Sequence, residues 1–226
     1  MNAKTVFRGA GVYLMAGGLS LVNAFAGGGL IVDDLNSSQL GQVKSGQMIT
    51  ITEEVEGKPW PKVKCYRLVK ATPEETAAVF FDYKHAKDFV PNVLKSEISL
   101  QVSPTIAEVD YGIDVPILPD EYYTVRNTLT TGGADCYKFH WKLVRAIQTK
   151  DSEGTFRAEP FEGGTIISYH NLVTPGSSMA GLLRGKALSQ MKETVEAIAT
   201  RVEKEKTTMP ADLKRQVGAL EKALGK

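Results

Sequence analysis

The sequence predicts an α+β fold in which a curved antiparallel sheet of about seven strands wraps around one long C-terminal helix. Residues 179–205 contain no proline, and their apolar residues recur three and four positions apart, as on one face of a helix. Between residues 46 and 174, alternating apolar and polar segments are separated by short turns, which is typical of an antiparallel meander. A long amphipathic helix that follows such strands needs a curved sheet to lie on.

Composition and charge restrict the class of protein. The chain has 226 residues, of which 42% are hydrophobic and 23% are charged, so one globular domain with extensions is expected. These values exclude a collagen, a wholly disordered chain and a membrane protein with several spans. The net charge of +1 gives no electrostatic reason to expect a nucleic-acid partner.

The first 26 residues have the pattern of a secretory signal peptide. Two basic residues precede an apolar stretch over residues 9–22, and Ala24-Phe25-Ala26 supplies a small-x-small cleavage pattern. The alternative is an uncleaved N-terminal anchor, although the stretch is short for a membrane span. We expect cleavage after Ala26 and export, in a bacterium to the periplasm.

The predicted domain covers residues 47–206. Residues 27–46 are rich in Gly, Ser, Asn and Asp, which predicts a linker or flexible arm ahead of it. Strands are predicted over residues 47–55 and 61–71. The remaining residues, 207–226, are predicted to form an amphipathic helical extension.

The period changes to that of a helix after the second strand. Thr72 fits the N-cap, Pro73 fits the first helical position, and Glu75 can close a capping box. A helix is therefore predicted to about Tyr83, with a second short helical segment over residues 84–89.

Strands then resume until the long helix. Alternation is clearest over residues 105–115, where Ala107, Val109 and Tyr111 share one face, as in a half-buried strand. A turn is predicted at residues 151–154 because Asp, Ser and Gly are concentrated there. The predicted strands cover residues 94–102, 105–115, 121–131, 136–146, 155–161 and 165–173.

This order of elements resembles the helix-grip fold of the START and Bet v 1-like superfamily, which includes bacterial polyketide cyclase-like and lipid-binding proteins. The resemblance covers about residues 61–205. START-like domains often have an Arg-Asp pair after the proline loop, where this chain has Asp120-Glu121. The resemblance rests on the helix start at residues 71–76 with Phe80 and Phe81, the proline-containing loop 115–119, the turn 162–165 and the run 169–175.

The resemblance implies a cavity between the sheet and the long helix, with a lipid, sterol, polyketide or similar hydrophobic molecule as its ligand. The asparagines and tyrosine hydroxyls would orient that ligand. A filled core without a cavity would bury the same residues and stays an alternative. The residues predicted to line the cavity are Tyr111, Ile113, Tyr123, Val125, Asn127, Phe139, Trp141, Asn171, Met191 and Val195.

No catalytic residue, metal site or cofactor is predicted. His85 and His140 are expected at the surface, and His170 would be a candidate general base only if it faced the cavity. The strand order of the resembling fold places Cys65 and Cys136 on distant strands, so both are expected to be free thiols.

Two further expectations concern the C-terminal helix and the function. Leu213, Val217 and Leu220 share one face of that helix, which could dock on the domain or lie on an anionic membrane as a peripheral contact. We expect an exported carrier or sensor of a hydrophobic ligand rather than an enzyme. The alternatives are a cyclase or aromatase acting on a polyketide-like substrate, and an interaction module with a filled core.

Overall fold

A computed structural model of the chain describes residues 29–115, 118–133, 135–176 and 180–226. The predicted signal peptide and Pro116 and Ile117 of the predicted apolar loop lie outside these residues. The strands are β1 (Ile49–Glu53), β2 (Lys62–Val69), β3 (Val93–Ser103), β4 (Ile106–Ile113), β5 (Glu121–Thr131), β6 (Tyr137–Ala146), β7 (Thr149–Phe161) and β8 (Gly164–Pro175). The α-helices are α1 (Ser37–Lys44), α2 (Pro73–Phe81), α3 (Ala180–Thr208) and α4 (Pro210–Leu224), and two 3-10 helices cover Ile31–Asp34 and Tyr83–Asp88.

The described strands form one antiparallel sheet in the order β1-β2-β8-β7-β6-β5-β4-β3. The α+β class and the long closing helix are confirmed, and the sheet has eight strands rather than about seven. Strand β2 pairs with β8, so the last strand of the sheet lies beside one of the first strands in the sequence. Cys65 on β2 and Cys136 before β6 are both free thiols.

Strand β7 corrects the prediction of a turn at residues 151–154. The chain reverses at residues 147–148, and β7 runs without interruption from Thr149 to Phe161. Gly154 is a strand residue because the Trp141 indole and the backbone of β8 occupy the space beside it. A Cβ at position 154 would lie 2.1 Å from Trp141 Cζ2 and 2.4 Å from the His170 carbonyl oxygen.

Helix α2 begins with the predicted capping box. The Thr72 hydroxyl accepts a hydrogen bond from the backbone N–H of Glu75 at 3.1 Å, and the Glu75 carboxylate accepts one from the backbone N–H of Thr72 at 2.8 Å. The cap fixes where the helix starts, and the helix then directs Phe80 toward the concave face of the sheet, where it stacks on Phe156.

Residues 29–46 are folded against the convex face of the sheet, which differs from the predicted linker or flexible arm. The fully buried side chains of Ile31 and Val43 pack with Tyr66 and Ile166 of β2 and β8. The backbone N–H of Ile31 also donates a 2.7 Å hydrogen bond to the buried Glu159 carboxylate. A few apolar residues among polar ones anchor this segment, although its composition resembles that of a linker.

Helix α4 docks on the domain. Leu213 and Leu220 are buried in the main core, and the side-chain amide of Gln216 donates a 3.0 Å hydrogen bond to Asp82 at the end of α2. The apolar face of α4 is therefore covered by protein while the helix is docked. Among the described residues, no helix has both the length and the apolar character that crossing a membrane requires.

Candidate functional site

The concave face of the sheet is densely packed at one end, here called the filled end. Phe80 stacks on Phe156 with ring centroids 4.1 Å apart and meets Phe139 edge-on at 4.9 Å. Phe139 and Phe156 have no exposed surface. Phe80 of α2 covers the rings of Phe139 and Phe156 at this end, and it also forms part of the wall of the neighbouring cavity.

A cavity of about 310 Å³ lies at the other end of the same face, here called the open end. It is bounded by the concave side of the sheet, the end of α2, the segment over residues 82–93 and α3 from Leu183 to Ile198. Its volume is at the lower end of the range for small-molecule sites. Eight predicted residues line it, namely Tyr111, Ile113, Tyr123, Val125, Asn127, Trp141, Asn171 and Met191.

Phe139 and Val195 were also predicted to line the cavity, but neither lies on its wall. Both are fully buried in the packed core. Phe139 is paired with Leu129 and Phe156, two positions along β6 from Trp141 and toward the filled end. Alternation identified the correct face of the strand for Phe139, but it carries no information about which end of that face is open.

Sequence reasoning did not select several other lining residues. Tyr169 could have been found, because it is two positions from Asn171 on β8 and therefore shares its face. Thr194 lies three residues after Met191 on α3, so helical spacing also indicated it, and Gln190 lies four residues before Thr194. Trp60 lies in the irregular segment before β2, where no periodicity could have indicated it.

The floor of the cavity includes one row of residues that crosses four strands. Asn127 on β5 is paired with Trp141 on β6, Trp141 with Gly154 on β7, and Gly154 with Asn171 on β8. Since Gly154 has no side chain, the indole of Trp141 can lie over β7. Trp141 also contacts Tyr169, with ring centroids 5.0 Å apart. The row therefore presents a flat aromatic surface between two amides.

Four lining side chains have a buried polar atom without a hydrogen-bond partner among the described residues. These atoms are the Tyr83 hydroxyl, Asn127 Nδ2, Asn171 Oδ1 and Gln190 Nε2. Buried polar groups in folded proteins almost always have a partner, because leaving one unpaired costs about 1–3 kcal/mol. Unpaired groups around one cavity are therefore candidates for contacts with a bound molecule.

The cavity has no free ionised group in its interior among the described residues. Both oxygens of Glu121 accept a hydrogen bond from the backbone N–H of Gln148 at 3.0 Å. Asp82 interacts with His85, Arg215 and Gln216. Lys186 is exposed. Burial raises the pKa of the deeply placed tyrosines, so these hydroxyls stay neutral: Tyr83, Tyr111, Tyr123 and Tyr169.

His170 lies on the opposite side of β8 from the cavity. Its neighbours Tyr169 and Asn171 line the cavity, whereas His170 Nε2 lies 3.1 Å from the Tyr66 hydroxyl under the N-terminal segment. Burial, together with the nearby positive charges of Lys62 and Lys64, lowers the pKa of His170 to about 3. The side chain is thus neutral and has no access to a ligand in the cavity.

The other histidines also lie outside the cavity. His140 Nε2 is 2.8 Å from Glu153 on the convex face, and His85 Nδ1 is 2.8 Å from Asp82. Within the described ranges, no group of three or more His, Cys, Asp and Glu side chains could hold a metal ion.

Comparison with known proteins gives matches in structure alone. No family model matches the chain, and no curated protein matches it. The STAR-related lipid transfer protein of Xanthomonas axonopodis is 17% identical, with a TM-score of 0.62 over 69% of this chain and 93% of that one. Human STARD10 is 17% identical, with a TM-score of 0.58 over 73% of this chain and 74% of that one.

A third similar structure is the Zhui aromatase/cyclase of Streptomyces sp. R1128. It is 15% identical, with a TM-score of 0.54 over 70% of this chain and 96% of that one. These structures share their fold with this chain, and their names include a lipid transfer protein and an aromatase/cyclase. The chain therefore has the helix-grip fold, a curved antiparallel sheet closed by a long C-terminal helix, that these structures also have.

Proposed function

We propose that this protein binds and carries a hydrophobic small molecule in the cavity between the sheet and α3. The observation that supports this is the cavity of about 310 Å³, kept open beside a filled end built on the same strands. Protein interiors are normally packed as densely as organic crystals, so an open space of this size favours a ligand over an interaction module with a filled core.

The solved structures of the same fold agree with a hydrophobic ligand, since their names describe lipid transfer and aromatase or cyclase activity. A carrier is favoured over a cyclase because general acid–base catalysis needs a titratable group within reach of the substrate. His170 faces away from the cavity. Among the described residues that line the cavity, Glu121 and Asp82 already interact with other groups of the protein.

Native mass spectrometry of the purified full chain, followed by organic extraction, tests the proposal. We expect a stoichiometric neutral lipid-like molecule to accompany the protein. Ala187 lines the cavity on α3, so Ala187→Trp should fill it and eject the ligand. Ser189 is exposed on the same helix, so Ser189→Trp adds the same side chain outside and should retain the ligand. Equal occupancy in the two variants would contradict the proposal.

Intrinsic fluorescence offers a second measurement, because both tryptophans of the chain, Trp60 and Trp141, line the cavity. Titration with an apolar ligand should shift their emission to shorter wavelength as water leaves the cavity. With Ala187→Trp this shift should disappear, whereas Ser189→Trp should preserve it.

We also propose that the protein is exported after cleavage of residues 1–26. The support is the sequence pattern alone, a basic start, an apolar stretch and the Ala24-Phe25-Ala26 site. N-terminal sequencing of protein recovered from the envelope of the source cell should begin at Gly27. A mature chain that starts at Met1 and stays with the cytoplasmic fraction would overturn this proposal.

A further inference from the structure

We infer that the ligand of this cavity is a neutral amphipathic molecule whose hydroxyl, carbonyl or amide group hydrogen-bonds to the buried side chain of Asn127 at one end of the Trp141 indole. This inference rests on the proposed function and specifies the chemical class of the ligand. It assigns Asn127 as the residue that selects a polar head group, and Asn171 as a second polar contact.

Asn127 is the strongest indication of a polar contact in the cavity. Only 3% of its surface is exposed, and Nδ2 has no hydrogen-bond partner among the described residues. The neighbouring residues on the same face of β5, Val125 and Leu129, are both apolar and buried. A leucine would fit the surrounding pattern and would avoid the cost of an unpaired amide. The amide is therefore explained by a partner that enters the cavity.

The neutral character of the ligand follows from the charges around the cavity. Transferring a carboxylate or phosphate into an apolar site is unfavourable unless a counter-ion is present. Lys186 is the cationic side chain of the described lining, and it is exposed rather than deep. Amides, by contrast, can donate to a carbonyl and accept from a hydroxyl without any change in charge.

The shape of the floor fits an apolar body attached to that head group. Trp141 lies over Gly154 between Asn127 and Asn171, and the paired strands place the two asparagines three strand spacings apart. At about 4.8 Å per strand, this corresponds to roughly 14 Å along a flat sheet and to less across a concave one. A ligand that lies on the indole can therefore reach one amide with its head and approach the other with its far end.

The experiment compares four twelve-carbon probes that differ only in the head group: 1-dodecanol, dodecanamide, dodecane and dodecanoate. Binding to the full chain is followed by tryptophan emission at neutral pH. We expect the alcohol and the amide to bind about tenfold or more tightly than both the alkane and the carboxylate. Tightest binding of dodecanoate, or equal binding of all four probes, would overturn the inference and leave the proposed function intact.

The variant Asn127→Leu separates a ligand contact from a structural role. It should reduce the ratio of alkane to alcohol dissociation constants to near one, and it should raise the thermal midpoint of the unliganded protein because an unpaired amide is removed. Thr128→Leu changes the adjacent residue, on the convex face, and should leave the ratio unchanged. An unchanged ratio in Asn127→Leu would overturn the inference.

Asn171→Leu provides a second variant on another strand, and it should lower the same ratio by a smaller factor. If Asn127→Leu does not fold, the ranking of the four probes on the wild-type chain and this second variant still decide the matter. Failure of every probe to bind the wild-type chain would contradict the proposed function itself, and with it the inference.

Discussion

The filled end and the open end of the concave face are built on the same strands, yet only one holds space for a ligand. On β6, Phe139 belongs to the filled end and Trp141, two residues later, belongs to the open end. Both side chains point to the same side of the sheet. The difference arises in part from the strands, since Phe139 and Phe156 fill one end whereas Gly154 has no side chain at the other, and in part from the helices that cover the sheet.

Side chains of α2 and of the last turns of α3 pack closely against the filled end. Phe80 reaches the sheet from α2, and Val202 is fully buried near the end of α3. The first half of α3 instead presents Ala187, Gln190 and Thr194 to the open end. These side chains are short or polar, and the cavity lies between them and the sheet.

The largest expected difference between the two ends is in the cost of truncation. Phe156→Ala removes the ring that stacks on Phe80 and should lower the free energy of unfolding by about 3–5 kcal/mol. Met191→Ala, on the cavity wall, should cost less than about 2 kcal/mol, because the side chain already lacks packing partners on one side. Chemical denaturation of both variants measures the difference, and equal costs would show that the open end is packed like the filled end.

A smaller loss of stability is expected at Gly154, where the cavity floor depends on the absence of a side chain. Gly154→Ala would place a methyl group 2.1 Å from Trp141 Cζ2, so the indole must move. We expect a loss of about 1–3 kcal/mol in stability, as in other overpacked sites, and a change in tryptophan emission.

Gly132→Ala is the matched control for that substitution. No atom lies within 4 Å of a Cβ at position 132, so a methyl group there meets nothing. Its stability and emission should match those of the wild type. An equally silent Gly154→Ala would mean that the Trp141 indole does not lie over β7.

The elements were predictable because local chemistry determines them. The capping box at Thr72 depends on residues three positions apart, and strand alternation depends on nearest neighbours, so both are visible in the sequence. Gly154 was assigned to a turn because glycine is common in turns, whereas its role is to admit Trp141, which is distant in sequence and adjacent in space.

For the candidate site, the sequence predicted which face of each strand and helix would point inward, but not which part of that face would line a cavity. Tyr123, Trp141 and Met191 were selected by periodicity and do line the cavity, but Phe139 and Val195 satisfied the same periodicity in the packed core. A buried position beside a cavity and one beside a helix have the same sequence pattern. Ligand contact by any of these residues stays a prediction.

The smallest expected effect concerns the convex side of the strand that lines the cavity. The pKa of His170 is about 3 in the folded protein, against about 6.5 for an unfolded chain. Between these values the unfolded state binds more protons, so acidification favours unfolding. The free energy of unfolding should be insensitive to His170 above pH 6.5. It should then fall by no more than about 1.4 kcal/mol for each pH unit below that value.

His170→Gln should flatten this dependence between pH 7 and pH 5, a range above that in which most carboxylates lose their charge. Because His170 contacts Tyr66 on the convex face while Tyr169 and Asn171 face the cavity, affinity for an uncharged apolar probe should not change over the same range. Denaturation midpoints and tryptophan titrations at both pH values measure the two quantities. A ligand affinity that follows the protonation of His170 would show that the two faces of β8 are coupled, and the division between a ligand-binding side and a purely structural side would then be wrong.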